Sequence, residues 1–430
     1  METSVPYATL WQRYTAFQAR GLQLDLSRGK PEPRQLDLSV PMLHTTDNGS
    51  FCAEDGTDTR NYGAPEGIWE ARRLFGALLQ MPPAQVLVGG NSSINLIHGV
   101  LSRAMLNGPL PGDTPWVRFP RVRMLCPAPG YDWHFYLCQT LGIEPVYVPM
   151  RADGPDMELV EELVTDETVK GLICVPMYSN PTGITFSDAV VDRLARMQTA
   201  APDFRLIWDN AYCVHHLYPD RQDRLKNIYT ACCEAGHPDR PVLFTSTSKI
   251  TFAGAGVSAM AASEANVARQ LELLRHQMVC YDKLNQLRHA RFLPDLAAVQ
   301  AHMARHAEIL RPKFQLIEQV LKRELSDLAT WSRPNGGYFI CFYGPRGCAR
   351  RTVELCKKAG VTLTPAGAPF PNGFDPDDSV LRIAPTLPPI EELKQVMELF
   401  PIAVRLAYAE LSRSSTAPET GASAPPSGGR

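Results

Sequence analysis

The run Val242-Leu243-Phe244-Thr245-Ser246-Thr247-Ser248-Lys249 decides how this chain is read: an apolar, β-prone segment gives way to hydroxyl side chains and then to one lysine. Forty residues upstream, Asp209 closes a second apolar run, in Leu206-Ile207-Trp208-Asp209-Asn210-Ala211-Tyr212. Twenty-nine residues before that, Asn180 follows a third, Leu172-Ile173-Cys174-Val175-Pro176-Met177, and opens Asn180-Pro181-Thr182-Gly183. Short apolar runs bounded by turn signals read as buried strands. Their ends present an amide, a carboxylate and an amine in chain order.

Working outward, strand-like and helix-like segments alternate from about residue 66 to 265. A helical stripe of Ile68, Ala71, Phe75 and Leu78 precedes Val86-Leu87-Val88, which runs into Gly89-Gly90-Asn91-Ser92-Ser93 and a further helix. Arg123-Met124-Leu125-Cys126 and Pro145-Val146-Tyr147-Val148 add strands. The pattern predicts an α/β fold, a mostly parallel sheet sandwiched by helices, with ligands at the carboxyl ends of its strands. Residues 264–326 read as helical. A smaller α+β domain is expected from Gly337-Tyr338-Phe339-Ile340-Cys341-Phe342, Val361-Thr362-Leu363, Val380-Leu381-Arg382-Ile383 and a closing helix of roughly 389–411. The expected division is a large domain over 45–310, a small one from 1–44 with 311–412, and a disordered Ser/Ala/Pro/Gly-rich tail at 413–430.

Bulk numbers exclude other classes. The 430 residues carry a net charge of −2, which gives no electrostatic case for nucleic acid or an acidic membrane. No apolar run is long enough to span a bilayer. The ten histidines are scattered without metal-ligand spacing. The eleven cysteines show no C-x-x-C, and together with residues 1–20, which lack a signal-peptide pattern, they point to reduced thiols and a cytoplasmic address.

A lysine ammonium with a solution pKa of about 10.4 is a poor nucleophile at neutral pH, but desolvation lowers that value and imine formation engages the nitrogen. Lys249 beside Asp209 suits a carbonyl cofactor held as a Schiff base, with the carboxylate on a protonated pyridine nitrogen. That combination points to pyridoxal 5′-phosphate. Asn180 and Tyr212 are placed to hydrogen-bond the ring oxygen. Gly89–Ser93, between strand and helix, suits a phosphate, because glycines allow close approach and the helix N-terminus favours an anion. Ser246 and Ser248 add hydroxyl donors, and Tyr131 can stack on a flat ring. Arg382, in an apolar strand, needs an anionic partner, which a substrate carboxylate supplies. Each residue also has an ordinary reading: surface lysine, helix-capping aspartate, turn asparagine, serine cap, packed tyrosine, structural salt bridge.

One motif misleads. Gly254-Ala255-Gly256-Val257-Ser258-Ala259 matches G-x-G-x-x-A, with Glu272 eighteen residues beyond, and supports a rival NAD- or FAD-dependent oxidoreductase. That fingerprint requires a strand directly before the first glycine, whereas Ser246 to Ala253 intervene.

Taken as an ordered set, the motifs resemble fold type I pyridoxal-phosphate enzymes, specifically class I/II aminotransferases of the aspartate aminotransferase type, in a prokaryotic branch. The resemblance spans about residues 25–400 and rests on Ser27-Arg28-Gly29-Lys30-Pro31, Asn61-Tyr62-Gly63, Gly89 to Ser93, Pro129-Gly130-Tyr131, Asn180 to Gly183, Asp209 to Tyr212, Ser246-x-Ser248-Lys249, Gly336-Gly337-Tyr338-Phe339 and Leu381-Arg382-Ile383. It implies a seven-stranded type of sheet and transamination between an amino acid, aspartate favoured, and a 2-oxo acid such as 2-oxoglutarate. It implies that Lys249 forms the imine and shuttles the proton, with Asp209 on the pyridine nitrogen and Asn180 and Tyr212 on the ring oxygen. Tyr131 then stacks on the ring, and Asn91, Ser92, Ser93, Ser246 and Ser248 surround the phosphate. Arg382 holds the α-carboxylate with Gly29 close by, and Tyr62 reaches the neighbouring subunit's phosphate in a homodimer with shared sites. The family's arginine eight residues after the lysine is here Val257, which leaves Lys283, Arg275 or Arg288 as substitutes for the phosphate or a distal carboxylate. A β-lyase or decarboxylase on the same scaffold, and a non-catalytic amine sensor, are the alternative readings.

Overall fold

The computed structural model describes residues 6–416. Its main sheet has eight strands in the order Val86–Val88, Ser258–Ala262, Pro241–Ser246, Arg205–Asp209, Val169–Cys174, Arg123–Ala128, Glu144–Arg151 and Gly154–Pro155. Neighbours from Pro241–Ser246 through Glu144–Arg151 are parallel, while Ser258–Ala262 runs antiparallel to both its partners. The seven expected strands are joined by an eighth, Gly154–Pro155, a two-residue antiparallel edge with no apolar run to announce it.

Strand alternation explains why helices cover both faces. Leu172, Leu206, Trp208 and Leu243 enter one apolar cluster, with Phe75 and Leu194 from helices Trp69–Leu79 and Asp188–Arg196. The intervening Ile173, Ile207, Val242 and Phe244 enter another, with Ile97 and Leu101 from helix Ser93–Asn107 and Phe135 from helix Asp132–Thr140. Side chains two apart share a face, so Asp209 points to the same side as Ile207. Burying each such large side chain contributes about 1.5–3 kcal/mol.

A third cluster gathers Leu10, Tyr14 and Phe17 of the first helix with Phe314 and Leu321 of helix Leu296–Leu325, Ile340 and Phe342, Leu381 and Ile383, and Val396 to Ala407. There Thr330–Trp331, Ile340–Tyr343 and Val380–Ile383 form an antiparallel sheet, and Leu24–Asp25 pairs with Val361–Thr362. The expected helical region holds Glu264–Leu274, Lys283–Phe292 and the 30-residue Leu296–Leu325. The final helix, Ile390–Thr416, continues past 411, so positions 413–416 are not the start of a tail; 417–430 lie outside the described residues.

Candidate active site

Strand Pro241–Ser246 ends in a turn that carries Lys249, and the chain returns along Ser258–Ala262, with Ser246 paired to Ser258. Thr247 closes this loop at its base: its N–H donates to Val257 O at 2.8 Å, and its hydroxyl accepts from Val257 N–H at 2.9 Å. Gly254 and Gly256 therefore lie in a strand-to-strand loop, without the strand-to-helix junction a dinucleotide needs. Lys249 is half-buried, its amine 5.1 Å from the centre of the Tyr212 ring. Burial holds its pKa below the ordinary lysine value, and the Asp209 carboxylate offsets part of that shift.

Asp209 is 1% exposed. Its Oδ2 lies 3.1 Å from His134 Nε2, while Oδ1 is buried with no hydrogen-bond partner. An unpartnered buried carboxylate oxygen is costly, so it marks where a donor is missing. His134 was not singled out from sequence. It sits in the first turn of helix Asp132–Thr140, shortly after Tyr131, whose half-buried ring meets the imidazole edge-on at 4.9 Å. Tyr212 is buried, and its pKa is pushed well up, first by burial and then by Tyr131, Tyr338 and Asp209, so its phenol keeps its proton.

The turn expected to cradle an anion lies where Val86–Val88 runs into helix Ser93–Asn107. Ser92 occupies the N-cap position without capping through its side chain, which leaves the first amides of the helix free for another acceptor. A Cβ at Gly89 would meet Leu96 Cδ2 at 2.6 Å, so a side chain there would have to displace the buried Leu96. The cradle is tied to the lysine turn: Ser246 Oγ donates to Ser248 Oγ at 3.1 Å, Ser248 Oγ donates to Asn91 O at 2.6 Å, and Asn91 Nδ2 reaches Gly254 O at 3.5 Å.

Arg382 is 8% exposed on strand Val380–Ile383. Its Nη1 donates to Asp132 Oδ1 at 2.9 Å and to Asn180 Oδ1 at 3.4 Å, and its guanidinium lies 5.2 Å from the centre of the Phe339 ring. Gly29 has a steric role here, since a Cβ would collide with that same ring. Asn180 is buried and follows Tyr178, which holds a left-handed φ of +49°. The Tyr178 hydroxyl, 2.7 Å from His216 Nδ1 and accepting from Asp223 N–H at 3.0 Å, fixes that unfavourable backbone.

Val257, where the family arginine is expected, is buried core. None of these substitutes hydrogen-bonds to the turn at Gly89–Ser93. Lys283 donates to Asn61 O at 2.6 Å and to Cys280 Sγ at 3.3 Å, Arg288 reaches Thr46 Oγ1 at 3.4 Å, and Arg275 is exposed. Tyr62, next to the Asn61 that Lys283 anchors, is 79% exposed within the chain. Among the described residues no cluster of His, Cys, Asp and Glu could hold a metal, and no helix is long and apolar enough to cross a membrane.

Comparison with known proteins identifies the family. Residues 2–415 match the family model described as aspartate amino-transferase. An aspartate aminotransferase of Corynebacterium glutamicum is 44% identical over 401 residues, covering 93% of each chain. The crystal structure of an aspartate transaminase from the same species superposes with a TM-score of 0.92 at 43% identity, over 94% of this chain and 96% of that one. An α-aminoadipate aminotransferase of Thermus thermophilus, solved with N-(5′-phosphopyridoxyl)-L-leucine, shares the fold at a TM-score of 0.74 and 21% identity, over 94% and 98%. Over nearly its whole length, this chain belongs to the aspartate aminotransferase family, with the fold of type I pyridoxal-phosphate enzymes.

Proposed function

We propose that this aminotransferase binds pyridoxal 5′-phosphate at Lys249 and exchanges an amino group between a dicarboxylic amino acid, aspartate favoured, and 2-oxoglutarate. The observation that carries the cofactor assignment is the unpartnered Oδ1 of Asp209, buried and near enough for its charge to act on Lys249. A protonated ring nitrogen is the donor it lacks. The cradle at Gly89–Ser93 fits the phosphate, and its helix dipole and hydroxyls take the place of the missing arginine. When bound, the cofactor supplies a reactive aldehyde and a ring that accepts electron density from the substrate α-carbon.

The chain's own groups do the rest. Lys249, with its lowered pKa, is a competent amine and a base for the α-carbon proton. Asp209, oriented by His134, would hold a protonated ring nitrogen. Tyr212, which keeps its proton, would hydrogen-bond the ring oxygen beside Asn180, and Tyr131 would stack on the ring. Arg382 orients the substrate through its α-carboxylate. The relatives named for aspartate support that donor.

We further assign a division into domains at about residues 45 and 310, a homodimer in which Tyr62 completes the partner's cradle, and a cytoplasmic address. All eleven cysteines being free thiols supports the last. The test is product analysis with L-aspartate and 2-oxoglutarate. Oxaloacetate and glutamate are expected, whereas pyruvate or carbon dioxide formed directly would indicate a lyase or decarboxylase. Lys249→Ala should lose turnover and the visible band of the bound cofactor; wild-type activity in that variant refutes the assignment.

A further inference from the structure

Arg382 does not stand bare. The Asp132 carboxylate faces it with two oxygens against two nitrogens, Nη1 to Oδ1 at 2.9 Å and Nη2 to Oδ2 at 3.5 Å. Nε reaches Thr364 Oγ1 at 3.4 Å, and the Phe339 ring lies against the guanidinium. The outer edge of the fork, which a free carboxylate would use, is thus already taken by a carboxylate of the chain itself.

We propose that Asp132 is a built-in competitor for the substrate carboxylate, one that fills the fork in the resting protein and is displaced on binding. This rests on Arg382 being the carboxylate site. Removing one partner of a buried pair leaves an uncompensated charge, so Asp132 keeps the resting site stable. It can also leave. Asp132 is the first residue of helix Asp132–Thr140, where free amides and the helix dipole stabilise an anion released from its partner. Its second contact, at 3.5 Å, is the weaker arm. Displacement lowers the net gain of every incoming carboxylate by the same amount. That uniform cost leaves the affinity ratios unchanged but takes a weakly held monocarboxylate below occupancy at ordinary concentrations, while a substrate anchored at further points still binds, so Asp132 keeps the fork clear of small anions.

The test is Asp132→Asn, which keeps shape but removes the charge. KM for L-aspartate and for 2-oxoglutarate should each fall about tenfold, and acetate should inhibit about tenfold more strongly. The unliganded Tm should drop while the Tm rise caused by succinate, a non-reacting dicarboxylate, grows. Asp132→Ser should move all of these in the same direction and serves if the first variant folds poorly. Raised or unchanged KM, with a smaller succinate shift, would overturn the proposal and make Asp132 a scaffold for Arg382. Arg382→Gln separates the two failures: if it leaves KM and the succinate shift untouched, the carboxylate assignment itself is wrong. If it weakens both while Asp132→Asn tightens neither, only the competitor is.

Discussion

Oδ1 of Asp209 is the atom on which the cofactor assignment turns, and His134 is what keeps it aimed. With Oδ2 held by His134 at 3.1 Å, the carboxylate cannot rotate to satisfy both oxygens elsewhere. His134→Ala would leave the buried Oδ2 without its donor, a cost of about 1–3 kcal/mol. We expect kcat/KM to fall about tenfold or more, since about 1.4 kcal/mol corresponds to one factor of ten. His134→Gln, which restores a donor, should recover part of the loss, and steady-state kinetics with the cofactor's visible spectrum check both. Asp209 and Lys249 were legible because each polar group closes an apolar run, a contrast visible in one sequence. His134 and Asp132 were not, because their signal is helical phase relative to Tyr131. A lone histidine or aspartate on a helix reads as packing or capping until the strand it faces is known.

At the scale of elements, helix Leu296–Leu325 turns His302 and His306 inward behind the lysine turn. His302 Nε2 lies 2.9 Å from Ile250 O and 3.1 Å from His306 Nε2, while His306 Nδ1 lies 3.0 Å from Gln35 Nε2. Gln35 in turn donates to Tyr338 Oη at 3.1 Å, and that hydroxyl donates to Lys249 O at 3.3 Å. Burial, aided by neighbouring His302, pushes His306 down to about 3, and burial pushes His289 down to about 4. The unfolded chain binds these protons near pH 6.5, and the folded chain only near 3 to 4. Stability from this source is therefore complete above about pH 6.5 and is lost as pH falls from there toward 4. Thermal melts between about pH 7 and 4.5 should show a falling Tm, and His306→Gln should flatten the slope. Strands made of long apolar runs were readable in advance. The edge pair Gly154–Pro155 was not, because its stability comes from pairing with Glu144–Arg151 and leaves no periodic trace.

At the scale of the whole molecule, the exposed Tyr62 beside the Lys283-anchored Asn61 carbonyl is the feature one chain leaves incomplete. If Tyr62 serves a partner's cradle, Lys249→Ala and Tyr62→Ala subunits should each be impaired alone. Mixed and reassorted, they should regain roughly a quarter of wild-type activity, because half the dimers would be hybrids with one intact site. No recovery above the separate variants would place Tyr62 outside any shared site. Sequence pattern reached this arrangement only through family likeness, since a contact between copies leaves no periodic mark in one chain. The Ser248 hydroxyl bridging to Asn91 O has a consequence of its own. An anion clamped at the start of helix Ser93–Asn107 would therefore be coupled, through this bond, to the turn that carries the amine two strands away. Inorganic phosphate alone should slow amide exchange around Lys249 before any aldehyde arrives.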